Sequence, residues 1–157
     1  MKKLILLILI LLGTSQAVKE LMPTLWANAL IDDGGSFGLN LDYDETNRFA
    51  WGACFGFGIF RDYYVLYPGL EGRLYFSDRS MGPVRLYISS NLGLGLGSHN
   101  QSNGETALTM GGFGNFTMGG DFLTTDSVTP TIMLGGFLDT HSQTSITSLL
   151  IGAGIRF

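Results

Sequence analysis

From residue 84 to residue 97 the chain reads VRLYISSNLGLGLG, and its character changes at every step. Val84, Leu86, Ile88, Ser90, Leu92, Leu94 and Leu96 alternate with Arg85, Tyr87, Ser89, Asn91, Gly93, Gly95 and Gly97. A period of two is the signature of a β-strand with one apolar face. The last residues repeat it, with Thr147, Leu149, Ile151, Ala153, Ile155 and Phe157 against Ser148, Leu150, Gly152, Gly154 and Arg156. In RFAWGACFGFGIF, Phe49, Trp51, Ala53, Phe55, Phe57 and Ile59 oppose Arg48, Ala50, Gly52, Cys54, Gly56 and Gly58. Strands are predicted over 36–44, 48–60, 64–76, 84–97, 112–124, 129–139 and 145–157. An eighth, with the weakest pattern, is expected in TLWANALI (24–31), ahead of the turn DDGG.

Such faces fit two architectures. A soluble barrel points its apolar face inward and its polar face to water, whereas a transmembrane barrel inverts this. The non-apolar faces decide between them. A solvent-exposed face carries Lys, Glu and Thr rather than a column such as Gly93, Gly95 and Gly97, and small residues belong where the walls of a narrow barrel meet. The charges on that face mix signs: Asp42, Glu71 and Asp121 against Arg48, Arg73, Arg85 and Arg156. They are expected to form an internally paired network in a filled lumen. A one-residue slip of the strand at 84–97 would turn Arg85 into lipid, at roughly 2–4 kcal/mol near the midplane. The expected fold is therefore all-β: an eight-stranded antiparallel up-and-down transmembrane barrel with a filled, Gly-rich polar lumen.

The N-terminal end adds a compartment. Lys2 and Lys3 precede an apolar run from Leu4 to Leu12 and then GTSQA. That order, with a run too short to span a bilayer, reads as a secretory signal peptide over 1–17, cut after Ala17 and followed by a barrel domain over 18–157. Of the nine basic residues, seven remain without Lys2 and Lys3, against 13 acidic ones. Nucleic acid, which calls for a basic patch, is not an expected partner. The single cysteine, Cys54, excludes an internal disulfide framework.

Topology gives an independent check. With both chain ends in the periplasm, the turns near 45–47, 77–83 and 125–128 fall on that side, and the longest polar connection, GSHNQSNGET, falls outside. The outward residues beside the periplasmic turns are Tyr43, Phe49, Phe76 and Phe122, joined by Phe157. Together they make an aromatic girdle at one interface.

The chain closes on GAGIRF, which resembles the C-terminal assembly signal of bacterial outer-membrane β-barrel proteins. Gly152, Ile155 and Phe157 match that pattern, while Leu150 stands where a polar residue is usual. The whole chain after Ala17 resembles the small eight-stranded OmpA/OmpX-type barrels in pattern and order. The resemblance implies an outer-membrane location, insertion by the barrel assembly machinery, and contact with outer-membrane lipid and lipopolysaccharide. It also implies a structural or surface-interaction role in adhesion or envelope integrity, with a host or cell-surface ligand met through residues 97–106. No open channel is expected, because eight strands leave an interior filled by side chains. The alternatives are a lipid A-modifying outer-membrane enzyme and a soluble, lipocalin-like secreted barrel binding a hydrophobic ligand.

Candidate chemistry is sparse, and no catalytic, metal or cofactor site is expected. Asp139, His141 and Ser142 in DTHSQTS would sit on an external turn, but adjacent His and Ser do not match the deacylase spacing, and the composition is that of a solvated loop. His99 reads as a solvated loop residue and Cys54 as an inert lumen thiol. DYDETN (42–47) lacks the Gly and distal Glu of a Ca²⁺ loop. The glycines of GLGLG follow strand parity, and no helix follows to hold a phosphate. Pro68, which cannot donate to a ladder, is expected at a bulge near the external rim.

Overall fold

Each alternating run becomes one strand, and each strand pairs with the next along the chain. The computed structural model describes residues 21–31, 33–44, 48–60, 63–77, 82–100, 106–123, 128–141 and 144–157. Their strands are β1 (Leu21–Leu30), β2 (Gly34–Asp44), β3 (Phe49–Phe60), β4 (Tyr63–Tyr75), β5 (Val84–Asn100), β6 (Thr106–Phe122), β7 (Thr129–His141) and β8 (Thr144–Arg156). Every pairing is antiparallel, and β8 returns to β1 through Thr24↔Arg156 to Leu30↔Leu150, closing the barrel. The expected signal peptide, 1–17, lies outside the described residues.

The register fixes the barrel's shape. A row of partners runs from Leu21 through Tyr43, Trp51, Gly72, Ser90, Phe116 and Gly136 to Leu149. Leu149 O accepts from Ile31 N at 3.0 Å, so the row meets the first chain segment again at Ile31. The row thus comes home ten residues beyond Leu21, a shear of ten (31 against 21). With about 3.3 Å per residue and about 4.8 Å between strands, that stagger tilts the strands by about 41°. Each residue then advances roughly 2.5 Å along the axis, and a twelve-residue strand covers roughly 30 Å.

One rim, called the near rim, holds the start of β1, the end of β8 and the connections β2–β3, β4–β5 and β6–β7. The far rim holds the other four connections. Two features differ from the sequence-based expectation. β5 and β6 continue to Asn100↔Thr106, so much of the expected loop 97–106 is ladder and only residues 101–105 lie between the strands, outside the described residues. Pro68 sits inside β4 opposite Phe55, with no bulge. The β4–β5 register is the same at Leu66↔Leu96 and Gly69↔Gly93, and pairing lapses only at the two positions between them. A local gap in the ladder accommodates the missing N–H without shifting the strands.

Two described glycines hold a backbone conformation that other residues rarely adopt, Gly34 at φ +140° and Gly82 at φ +154°. Gly34 opens β2, where a Cβ would stand 2.2 Å from the Ile59 carbonyl oxygen.

Candidate functional site

Parity sends one side chain of each pair into the barrel, and the row spiral stacks those side chains into three layers. Nearest the near rim lies the charged layer. Asp42, Glu71, Arg73, Arg85, Asp121 and Arg156 are all buried, three acids with three arginines. Arg73 Nη2 lies 2.7 Å from Glu71 Oε1 and 3.8 Å from Asp42 Oδ2. Arg156 Nη1 lies 2.5 Å from Asp121 Oδ2, and its Nε donates to Thr24 Oγ1 at 3.1 Å. The Tyr75 hydroxyl donates to Asp121 at 3.0 Å and accepts from both Arg73 and Arg156. Cation–π contacts interleave with these bonds: Arg85 lies 3.4 Å from the Tyr75 ring centroid and Arg73 4.5 Å from that of Tyr87. Taking such charges from water costs several kcal/mol each unless they are paired, so the sign balance is what makes the layer tenable.

Arg48, expected in this network, is elsewhere. It precedes β3 at the near rim and is exposed. Its backbone carbonyl accepts from Tyr75 N at 2.7 Å, at the end of the β3–β4 ladder.

The middle layer is neutral and joins the charged layer at Glu71. Trp26 Nε1 donates to Asn40 Oδ1 at 2.7 Å, and the Asn40 amide donates in turn to Glu71. Ser89 and Thr117 share a bond of 2.7 Å, and Asn91 N donates to Asn115 Oδ1 at 3.2 Å. Together they enclose a cavity of about 10 Å³, barely room for one water. Trp26 escaped the sequence reading because TLWANALI alternates weakly.

Toward the far rim the lumen becomes apolar. Leu30, Cys54, Phe60, Val65, Tyr67, Phe113, Phe137 and Leu150 form one buried cluster. The polar lumen expected from the sequence thus describes two layers of three. Phe113 lies across the paired Gly69 and Gly93: a Cβ on Gly93 would come within 2.5 Å of its ring, and one on Gly69 within 3.0 Å. Asp139 is buried here as well, accepting from the Tyr67 hydroxyl at 2.8 Å. The carboxylate considered for an external catalytic turn therefore points into the barrel. Ser142 and the His99 and His141 side chains lie outside the described residues. Among the described residues no three His, Cys, Asp or Glu side chains converge to hold a metal.

Gly152, of the C-terminal motif, has a neighbour the sequence could not show. A Cβ there would come within 1.9 Å of Asn28 Oδ1. Ile155 and Phe157 point outward and are exposed.

The outer surface completes the picture. Leu25, Leu70, Leu92 and Ile132 are each more than half exposed, as are residues all round the barrel between the rims. Tyr43, Phe49, Phe76, Phe122 and Phe157 face outward beside the near rim, with the Trp51 ring 6.1 Å from that of Tyr43. A soluble protein does not expose a continuous apolar belt, which corrects the lipocalin-like alternative. Comparison with solved structures points the same way. The chain superposes on the N-terminal β-barrel domain of Pseudomonas aeruginosa OprF with a TM-score of 0.69 and 14% identity, over 87% of this chain and 96% of that one. Its fold is that of the small bacterial outer-membrane barrels.

Neisserial surface protein A (NspA) superposes with a TM-score of 0.66 and 15% identity, over 87% of this chain and 92% of that one. Ail, the attachment invasion locus protein of Yersinia pestis, gives 0.50 and 16%, over 87% and 97%. No protein-family model matches the chain, and no curated protein matches it in sequence.

Proposed function

We propose that this protein is a small integral barrel of the bacterial outer membrane, with a structural or surface-interaction role and no open channel. The observation that carries the reading is the inversion itself: an apolar outer belt around a lumen of paired charges and packed aromatics. Its fold neighbours include a neisserial surface protein and an attachment invasion locus protein, which supports a role at the cell surface. In this reading residues 1–17 are removed on export. Gly152, Ile155 and Phe157 present the last strand to the barrel assembly machinery, and the aromatic girdle settles at the periplasmic interface. The far rim then faces outward, toward lipopolysaccharide and any host or cell-surface ligand met through 97–106. The protein acts by what it displays rather than by catalysis.

Electrophoresis of washed outer membranes tests this, with unheated and boiled samples side by side in SDS. A closed barrel migrates faster unheated and shifts on boiling. A soluble fraction with no shift would overturn the reading. Replacing 101–105 by a short Gly-Ser turn should leave the heat shift intact while reducing attachment of cells to a surface.

A further inference from the structure

The outward apolar face has different lengths on different walls. On β8 it runs from Phe157 at the near rim up to Ile151 and Leu149, and then turns polar at Thr147 and Ser145, both exposed. On β7 it ends likewise at Thr140, which is exposed and whose hydroxyl bonds the Gly112 backbone at 3.0 and 3.2 Å. From Phe157 to Leu149, the last apolar position, is eight residues, and to Thr147, the first polar one, ten, so the face ends roughly 20 to 25 Å along the axis of a barrel tilted about 41°. That matches the apolar band of an outer-membrane barrel, roughly 25 Å tall.

On β6 the face does not stop there. It begins at Phe122 and continues to Met110 and Leu108, fourteen residues in all, or roughly 35 Å along the axis. Leu108 is 89% exposed, more than any other large hydrophobic side chain described. It belongs to the part of β6 beyond Gly111, the last position that pairs with β7. Beside it, Phe57, Tyr64, Leu66, Leu96, Leu108 and Met110 border an outward groove of about 540 Å³. The Phe57 and Tyr64 rings stack along one side of it at 6.1 Å.

We propose that this upper face of the β4–β6 wall is a lipid-binding surface, seated against the acyl chains of outer-leaflet lipid. The proposal rests on the outer-membrane reading above and adds to it a belt of unequal height. Three observations select acyl chains as the occupant. The groove runs without interruption into the belt through Leu66, Leu94 and Leu96, all exposed. None of its lining residues is charged, and Ser98 and Thr109 add only hydroxyls to an otherwise apolar border, whereas protein-binding patches surround an apolar centre with a full polar rim. On β7 and β8 the switch to Thr and Ser marks where the hydrocarbon ends; on β5 it comes only at Ser98, level in the ladder with Leu108, and on β6 no such switch precedes Leu108. A mismatch of roughly 10 Å between walls is met by tilt of the barrel or by thickening of the leaflet beside the longer wall.

Three single-cysteine variants test this in a Cys54→Ala background: Leu92→Cys in mid-belt, Leu108→Cys, and Thr147→Cys. Each is labelled with an environment-sensitive fluorophore and reconstituted in phosphatidylcholine vesicles, with and without bromine on the acyl chains. Heat-shift electrophoresis confirms that each is folded. The expected result is strong bromine quenching at 92 and 108, several-fold above that at 147, with iodide in the buffer quenching only 147. A label at 108 that behaves like the one at 147 overturns the inference while leaving the membrane reading standing. So does self-quenching at 108 that rises with the protein-to-lipid ratio, since a second copy would then cover the face. A label at 92 that bromine does not quench defeats the outer-membrane reading and this inference with it.

Discussion

Arg156, in the last strand, donates to Thr24, in the first, at 3.1 Å, and the same guanidinium reaches Asp121 in β6 and Tyr75 in β4. One side chain therefore ties the closing seam to the opposite wall. Arg156→Met leaves the Asp121 carboxylate buried without its ion pair, a kind of loss that costs about 3–5 kcal/mol. The boiling shift should then occur at a lower temperature. Asp121→Asn in the same chain should recover part of the difference, because it removes the stranded charge.

Tyr75 separates two contributions within the charged layer. Tyr75→Phe removes a hydroxyl used by Asp121, Arg73 and Arg156 but keeps the ring under Arg85. The expected cost is about 1–3 kcal/mol in urea unfolding from lipid vesicles. Tyr75→Leu should cost a further 1 kcal/mol or so through loss of the cation–π contact. Equal stability of the two variants would show that the ring contributes nothing beyond its volume.

Gly152 can be tested for two roles at once. Gly152→Ala forces a methyl against Asn28 Oδ1, overpacking that costs typically 1–3 kcal/mol. If packing is the whole reason for the glycine, Asn28→Ala in the same chain should restore stability and membrane insertion together. Restored stability in refolded protein without restored insertion in cells would assign Gly152 to recognition during assembly.

Leu92→Arg places a charge in the middle of the outer belt and should destabilise the barrel by about 2–4 kcal/mol. Refolding into phosphatidylcholine vesicles across a urea series measures it. A neutral outcome would argue against lipid at that face.

Cys54 reports on closure of the lumen. It is buried within the apolar far layer, so a maleimide should fail to modify it in unheated detergent samples and react fully after boiling. Rapid labelling of the unheated form would mean that the far layer opens.

The architecture was legible in the sequence because a strand's two faces are written as odd and even positions. Parity fixed the direction of Arg73, Leu92 and Phe157 without any knowledge of their neighbours. It did not say which rows meet across the interior, since that depends on stagger, a property of all eight strands together. Hence parity does not reveal the apolar far layer, gathered from Leu30, Phe60, Phe113, Phe137 and Leu150, nor the exposure of Arg48 beside its turn. Trp26 was missed for a local reason. In β1 the inward positions carry Met22, Trp26 and Leu30, so the two faces differ too little in hydropathy to be told apart.

The ten-residue return of the register has a consequence for how such a chain can change length. Parity behaves like a reading frame: deleting one residue inside a strand exchanges its inner and outer faces from that point to the next turn. Arg85 and Leu86, or Arg73 and Leu74, would trade places between lumen and lipid. Removing two residues keeps the faces but alters the stagger on both sides, and the seam between Thr24 and Arg156 must then absorb the difference. Only the turns lie outside this double constraint. Variation in length should therefore collect at residues such as 101–105, leaving the strands fixed to the residue.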